Sequence, residues 1–427
     1  MTLQRALALV IVPLALAGRA PAADWPNWRG PGLDGVAGGS GYATTWSADR
    51  NVAWRVPLPG AGASTPAVWG DRVVLTLAID GEDTVLCLDR AGRELWRRAL
   101  GAERPGKHAK ATGSNPSPVT DGKHVWVYFK SGELATLDLA DGRVAWRVNL
   151  QERFGEDTLW WDLGTSPVLT ADAVVVAVMH SGPSYLAAFG RTDGELRWKH
   201  DRDLGAPEEA AQSYSTPLVL PGEERFGEPE EVIVVLGADH VTAHDAADGR
   251  ELWRAGGLNP GGERFFRSIA SPVAAGGLII APYARGSTLT AVRRGGSGDV
   301  TATHVAWRRS DLGADVPTPA VLDGQLVVCT DGGGLECLEA ATGTTLWKEQ
   351  LPKNRHAYSA SPVIAEGRVF ATREDGETAI VALPAAGAGA AVVGTGVLDE
   401  MTVATPVCVD GRIFLRSRDA LWCIAAE

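Results

Sequence analysis

The stretch HDAADGRELWR, residues 244–254, puts a glycine turn four residues ahead of a tryptophan. The same arrangement recurs in LDRAGRELWRR (88–98), LDLADGRVAWRV (137–148), FGRTDGELRWKH (189–200) and LEAATGTTLWKE (338–349). Trp96, Trp146, Trp198, Trp253, Trp307 and Trp347 end successive copies, about 40 to 55 residues apart, an interval typical of blade-type repeats. A second mark keeps step with the first. A small residue, a proline and an apolar pair recur in eight copies, as STPAV at Pro66, PSPVT at Pro118, TSPVL at Pro167, STPLV at Pro217, ASPVA at Pro272, PTPAV at Pro319, ASPVI at Pro362 and ATPVC at Pro406.

Between the marks each unit carries a Gly or Asp turn and a β-branched run such as VVVAVM or VIVVLG. Four short strands fit one unit. The first begins at the proline, a residue tolerated at a strand's first position. The fourth carries the tryptophan. No stretch sustains a 3.6-residue apolar period, so few helices are expected. Four-stranded units in series predict an all-β chain, a single eight-bladed β-propeller whose ring leaves no open sheet edge. The eighth unit stops after three strands, and NVAWRVPL (51–58) has the Trp-Arg mark at Trp54 without a Pro-led unit before it. This N-terminal strand is expected to close the last blade. The seventh unit is degenerate, with its fourth strand near AAVVGTGVL and no tryptophan.

On these marks the chain resembles the PQQ-like β-propeller repeat family of the quinoprotein superfamily, over nearly all of residues 51–427. The family's tryptophan-docking motif, A-x-D-x-x-x-G-x-x-x-W, is matched at Asp138, Gly142 and Trp146 and at Asp245, Gly249 and Trp253. Glu339 replaces the Asp beside Gly343 and Trp347, one turn is a residue short (Asp89, Gly92, Trp96), and Gly190 fills the Asp slot before Gly194 and Trp198. The resemblance implies that Trp54, Trp96, Trp146, Trp198, Trp253, Trp307 and Trp347 pack against neighbouring blades. Large flat indoles suit that role.

The chain has 427 residues, 45% hydrophobic, with 51 Gly and 25 Pro for its many turns, and a net charge of −12. An acidic chain without a basic block argues against nucleic-acid binding. The stretch PGEERFGEPEEV (221–232) reads as a solvated loop. Residues 1–22 read as a secretory signal: Arg5, an apolar run over 6–17, and an A-x-A-like site at 20–22. That run is short for a membrane span. No cysteine follows it, so no lipid anchor is read, and a monomer of periplasmic or extracellular location is expected. Residues 23–50 form a Gly/Pro-rich segment in which Trp25 and Trp28 read as anchors on the propeller body.

Cys87, Cys337 and Cys423 hold equivalent third-strand positions and read as small buried fillers. Cys408 and Cys423 lie two strand spacings apart, roughly 9 to 10 Å, beyond a disulfide's reach. Cys329 and Cys337 flank the TDGGGLE hairpin, where a cross-hairpin disulfide is an open alternative. His240 and His244 share one side of a strand, but no third ligand accompanies them and no metal site is read.

The residues before each proline must form loops around one mouth of the central channel, where function concentrates. They bring together His108, Lys110, Trp160, Trp161, Tyr214, Arg264, Phe266, Arg267, Arg355, His356 and Tyr358, with Asp162, Asp315, Asp399 and Glu400 on the same rim. Arginine forks suit carboxylate, sulfate or phosphate oxygens, so an acidic glycan, peptide or protein partner is expected. Three functions stay open: a non-catalytic exported binding propeller, as the resemblance to the outer-membrane assembly subunit implies; a quinoprotein dehydrogenase using PQQ and calcium; or another enzyme with its site in the channel mouth. The dehydrogenases' adjacent cysteine pair and C-x-x-C-H haem site are missing, and no catalytic residue or cofactor is assigned.

Overall fold

The computed structural model describes residues 24–384 and 388–426; the leader read at 1–22 lies outside them. Eight antiparallel sheets follow one another around a ring. In blade 1 the strands are Ala67–Trp69, Arg72–Ile79, Glu82–Asp89 and Glu94–Ala102, each paired with its sequence neighbour. Blades 2 to 7 repeat this order over 119–149, 168–201, 218–255, 273–309, 320–350 and 363–397. Blade 8 takes Val407–Val409, Arg412–Arg416 and Ala420–Ala425 from the end of the chain and Val52–Pro57 from its start, with Arg55 opposite Trp422 and Pro57 opposite Ala420. The ring therefore closes by the strand that the Trp-Arg mark pointed to. Among the described residues helices are few and short, Leu150–Phe154 and Thr301–His304 together with three 3-10 turns.

All eight pairings of third and fourth strands carry a register shift just before one position of the fourth strand. Such bulges re-aim the side chain that follows. Seven blades place a tryptophan there, opposite a small partner: Trp54 faces Cys423, Trp96 faces Cys87, Trp198 faces Ala188 and Trp347 faces Cys337. Blade 7 inverts the sizes, with Gly394 facing Ile380. The equivalent cysteines are thus space-fillers under an indole, and burial pushes the Cys87 and Cys337 thiols up to about 12.

Five indoles donate from Nε1 to a carbonyl in the next blade's turn: Trp54 to Arg90, Trp96 to Leu139, Trp146 to Arg191, Trp198 to Ala246 and Trp307 to Ala340, at 2.9–3.2 Å. The ring lies against the glycine of that neighbouring turn. Gly142 has φ +70°, and a methyl group there would sit 2.4 Å from the Trp96 ring, so no other residue fits. Trp253 and Trp347 are buried, but their Nε1 groups lack a partner, and blade 5, next to Trp253, does not repeat the glycine turn. In blade 5 a loop replaces it and adds a short parallel strand, Gly298–Asp299, beside Trp253.

Two sheets therefore have five strands rather than the expected four. The second gains Val36–Ala37, paired parallel with the innermost strand of blade 7. The segment 24–50 is a strap. Trp25 pairs with Val68 of blade 1 on the channel wall. The buried Arg29 guanidinium donates to the carbonyls of Pro319 and Pro362, in blades 6 and 7. Glu366 accepts the Gly41 and Tyr42 amides, and Trp46 then lies along the outer strand of blade 7.

The structure settles one open alternative and corrects one expectation. Cys329 faces Leu335 and Cys337 faces Val327, so the two thiols are out of register and both are free. The 221–232 stretch is not merely solvated: Glu223 and Glu228 clamp Arg294 of blade 5, and Phe226 packs on that guanidinium.

Candidate functional site at the channel mouth

The loops before the prolines surround one end of the channel, and beneath them lies a cavity of ≈ 440 Å³. Its wall carries a feature the sequence displayed without explaining. The residue ahead of each repeated proline, Thr65, Ser117, Ser166, Thr216, Ser271, Thr318, Ser361 and Thr405, lines the cavity. The backbone N–H of one donates to the hydroxyl of the next blade's equivalent, from Thr65 to Ser117 and onward to Ser361, and from Thr405 back to Thr65, at 2.8–3.1 Å. A hydroxyl that accepts such a bond still has a proton to donate. The cavity is therefore belted by O–H donors. Trp28, on the strap, also reaches its lining.

Of the predicted rim residues, His108, Lys110, Trp161, Tyr214 and Arg267 line the cavity. The Trp161 indole donates to Glu209 at 2.8 Å and meets His108 edge to face, 5.7 Å between ring centres. Tyr214 is buried, donating to Gln212 and accepting the Trp161 amide. Burial raises its phenol well above the usual range. Trp160 is 43% exposed and stands 6.4 Å from Phe265, itself 49% exposed, so an apolar patch flanks the opening.

The other aromatic and cationic rim residues do not reach the cavity. Phe266 turns away to pack edge-on against Tyr283. Tyr358 is buried beneath Arg373. Arg264 is exposed and paired with Glu208, and Arg355 donates to the His356 ring.

The rim's cations are largely neutralised from within. Lys110 pairs with Glu374 at 2.7 Å, and the buried Lys130 with Asp162, which also accepts the amides of Lys107 and His108. Arg267 pairs with Asp315 through Nη2 at 3.0 Å and lies 3.5 Å from Glu209. Its Nε and Nη1 are buried without a hydrogen-bond partner. Glu209 and Glu374 were not singled out in the sequence: they sit in other blades, and only the fold makes them neighbours.

A seat for PQQ with calcium would need carboxylates free to bind the cation. The two carboxylates lining the cavity, Asp162 and Glu374, are each held by a lysine, and the five cysteines are buried away from it. Among the described residues no group of three His, Cys, Asp or Glu is arranged for a metal. His244 is buried between Gly249 O and Thr242 Oγ1, and burial pushes its imidazole down to about 3; His240 bonds the Ala238 carbonyl instead. Among the described residues no helix is long and apolar enough to cross a membrane.

A family model described as outer membrane protein assembly factor BamB matches residues 35–209, 186–304 and 298–424. Outer membrane protein assembly factor BamB of Yersinia pestis is 23% identical over 317 residues, covering 73% of this chain and 70% of the relative. The crystal structure of BamB from Moraxella catarrhalis superposes with a TM-score of 0.62 at 15% identity, over 87% of this chain and 98% of that one. A europium-containing methanol dehydrogenase superposes equally well, with a TM-score of 0.64 at 10% identity, over 94% of this chain and 89% of that one. At these identities the superpositions establish the fold alone.

Proposed function

The chain belongs to the outer membrane protein assembly factor BamB family, and from that premise we propose that it is an exported, non-catalytic propeller that binds an acidic partner at the channel mouth. The observation that carries this reading is a cavity belted by hydroxyls whose lining also holds Lys110 and Arg267. Hydroxyl and cationic donors around a cavity favour a ligand that brings oxygen acceptors. A carboxylate, on a peptide side chain or an acidic sugar, matches the guanidinium fork. Trp161 offers a flat face for the apolar part of the same ligand, and the exposed Trp160 and Phe265 extend that surface outward. Convergent polar groups over an apolar lining are the usual description of a binding site. The engaged carboxylates support a reading without PQQ or calcium, and no catalytic step is assigned. The test is calorimetric titration of the protein with acidic peptides and with anionic glycans. Binding that weakens in the Trp161→Ala variant supports the proposal; no binding of either class overturns it.

A further inference from the structure

The strap does more than brace blade 7: it crosses the far end of the channel. Trp25 pairs with Val68 of blade 1, and the Pro26 carbonyl accepts the Thr120 amide of blade 2. On the other side the Asp34 carbonyl accepts the Val321 amide of blade 6, and the Gly35 carbonyl the Ile364 amide of blade 7. Between these ends Leu33 packs against the core shared by blades 4 and 5. Val68, Thr120, Val321 and Ile364 each stand on an innermost strand, two residues past the repeated proline. The hydroxyl belt stands one residue before that proline. The strap therefore meets the wall at one level, about 10 Å below the belt, and two of its contacts, in blades 2 and 6, face each other across the ring.

Trp28 marks the result. The strap's other tryptophans are buried anchors, Trp25 and Trp46, whereas Trp28 is only partly buried and lines the ≈ 440 Å³ cavity. Its neighbour Arg29 lies 5.6 Å from the indole, but its Nη groups donate to the carbonyls of Asp34, Pro319 and Pro362, and it does not reach the lining. The charges of the lining come from the other end. Asp162 and Arg267 precede their blades' belt hydroxyls by four residues and Lys110 by seven, on the mouth loops; Glu374, in a hairpin turn, pairs with Lys110. The pocket thus has a charged opening, a belt of neutral hydroxyls and an indole floor. Because only the mouth is open, a ligand chain enters end first. Either terminus of a peptide carries a charge, which at the floor would find hydrogen bonds but no counter-ion, a costly burial. A sugar chain can end in an uncharged ring, whose hydroxyls match the belt's hydroxyls and whose C–H face suits an indole.

We propose that the strap plugs the channel and that the blind pocket it leaves takes the end of an acidic sugar chain, with an uncharged terminal ring on Trp28 inside the hydroxyl belt and the chain's carboxylates at Lys110 and Arg267. The proposal rests on the reading of the mouth as a site for acidic ligands, and adds the direction of entry and the part of the ligand that is buried. A polymer offers this pocket only its ends, since an internal stretch has to double back to reach the floor.

The test is calorimetric titration of the whole protein with hyaluronan fragments, chains in which N-acetylglucosamine and glucuronate alternate. The trimer with N-acetylglucosamine at both ends is expected to bind one per protein, about tenfold more tightly than the trimer with glucuronate at both ends. On an equal mass of sugar, the long polymer is expected to bind far less protein than the neutral-ended trimer. Trp28→Ala is expected to weaken that trimer about 2- to 10-fold, the scale of one lost aromatic contact. Trp28→Phe keeps a ring and should retain most of the affinity, which separates loss of the contact from loss of the fold. Equal binding of polymer and trimer per sugar residue, or a preference for glucuronate ends, overturns end-first entry while leaving the mouth a site for acidic ligands. Binding of hexa-aspartate and of no hyaluronan fragment overturns the sugar chain and likewise leaves that reading standing. No binding by fragments, polymer or hexa-aspartate removes both.

Discussion

The Trp46 indole lies against Gly396, so closely that a methyl group on that glycine would sit 1.8 Å from ring carbon Cε2. The contact belongs to the blade that lacks its own tryptophan. Gly394 occupies the slot after the bulge, and the strap lays the Thr44 carbonyl and Trp46 over it. Trp46 is 3% exposed. Its replacement by alanine is therefore expected to cost about 3–5 kcal/mol, and Gly396→Ala about 1–3 kcal/mol through overpacking. Urea unfolding of both variants and their double mutant checks this: because the residues touch, the double mutant should lose less than the two losses combined. A neutral Trp46→Ala would show that the strap merely rests on blade 7.

The docking tryptophans make two kinds of joint, and phenylalanine separates them. Trp146 donates to Arg191, so Trp146→Phe is expected to lose about 1 kcal/mol of hydrogen bonding beyond the change in volume. Trp253 has no acceptor for its Nε1, so Trp253→Phe loses volume only. Trp253→Ala, at a residue 1% exposed, is expected to cost about 3–5 kcal/mol, and the half-buried Trp146 less. Equal losses for the two phenylalanine variants would remove the distinction.

Ring closure is tested by deletion. Without residues 24–58 the strand Ala420–Ala425 loses its partner and becomes an open edge, and blade 7 loses Val36–Ala37 and Trp46. Open edges invite association. The shortened protein is expected to melt at a lower temperature and to sediment as oligomers. Unchanged melting in calorimetry would contradict closure by Val52–Pro57.

What the sequence displayed and what it hid follow from periodicity. The prolines and tryptophans repeat because each blade solves the same packing problem, so blade count and closure could be read directly. The strap solves a problem that occurs once, and its Val36, Arg29 and Trp46 have no counterpart to betray them. The rim shows the same limit. Lys110 and Glu374 are 264 residues apart, and nothing in either neighbourhood announces the pair. Phe266 and Tyr358 looked like mouth residues because their loops are at the mouth, but their apolar rings turned toward Tyr283 and Arg373. The hydroxyls before the prolines were visible in every repeat, and only the ring shows that seven of the eight accept a neighbour's amide.

Stability is expected to carry a signature of Asp83 between pH 4 and 7. Its carboxyl is buried, chiefly by desolvation pushed up to about 7, although the Ser131 hydroxyl donates to Oδ2; Oδ1 has no partner. Unfolded, the group titrates near the ordinary value, about 3.9. Between the two values the folded chain holds the extra proton, so stability falls as pH rises from about 4 to 7. Asp83→Asn should flatten this slope and gain up to about 3 kcal/mol at pH 7.5 relative to its effect at pH 4. His244 acts oppositely, since its depressed value makes the folded state lose stability as pH falls below about 6.5. The difference between wild type and Asp83→Asn, measured by urea unfolding across this range, isolates Asp83. A difference independent of pH would show that its carboxyl ionises normally.

Ligand binding at the mouth should depend on Arg267 and not on Arg355. Arg267 lines the cavity, whereas Arg355 stands outside it on the His356 ring. Arg267→Gln keeps some hydrogen-bonding capacity but removes the charge and the fork, and a charged hydrogen bond lost from a buried site costs about 1.5–3 kcal/mol. Affinity for an acidic peptide or glycan is then expected to fall by a factor of about 10 to 150. Arg355→Ala should leave it unchanged. Because Asp315 and Glu209 would lose their partner, the melting temperature of Arg267→Gln must be measured beside its affinity, so that binding is compared only where the variant is folded. Salt supplies the independent check. Binding to Arg267 should weaken between low and physiological ionic strength, though less than an exposed ion pair would, because burial limits screening. Affinity that survives Arg267→Gln, or falls instead with Arg355→Ala, would move the site from the cavity to the outer rim.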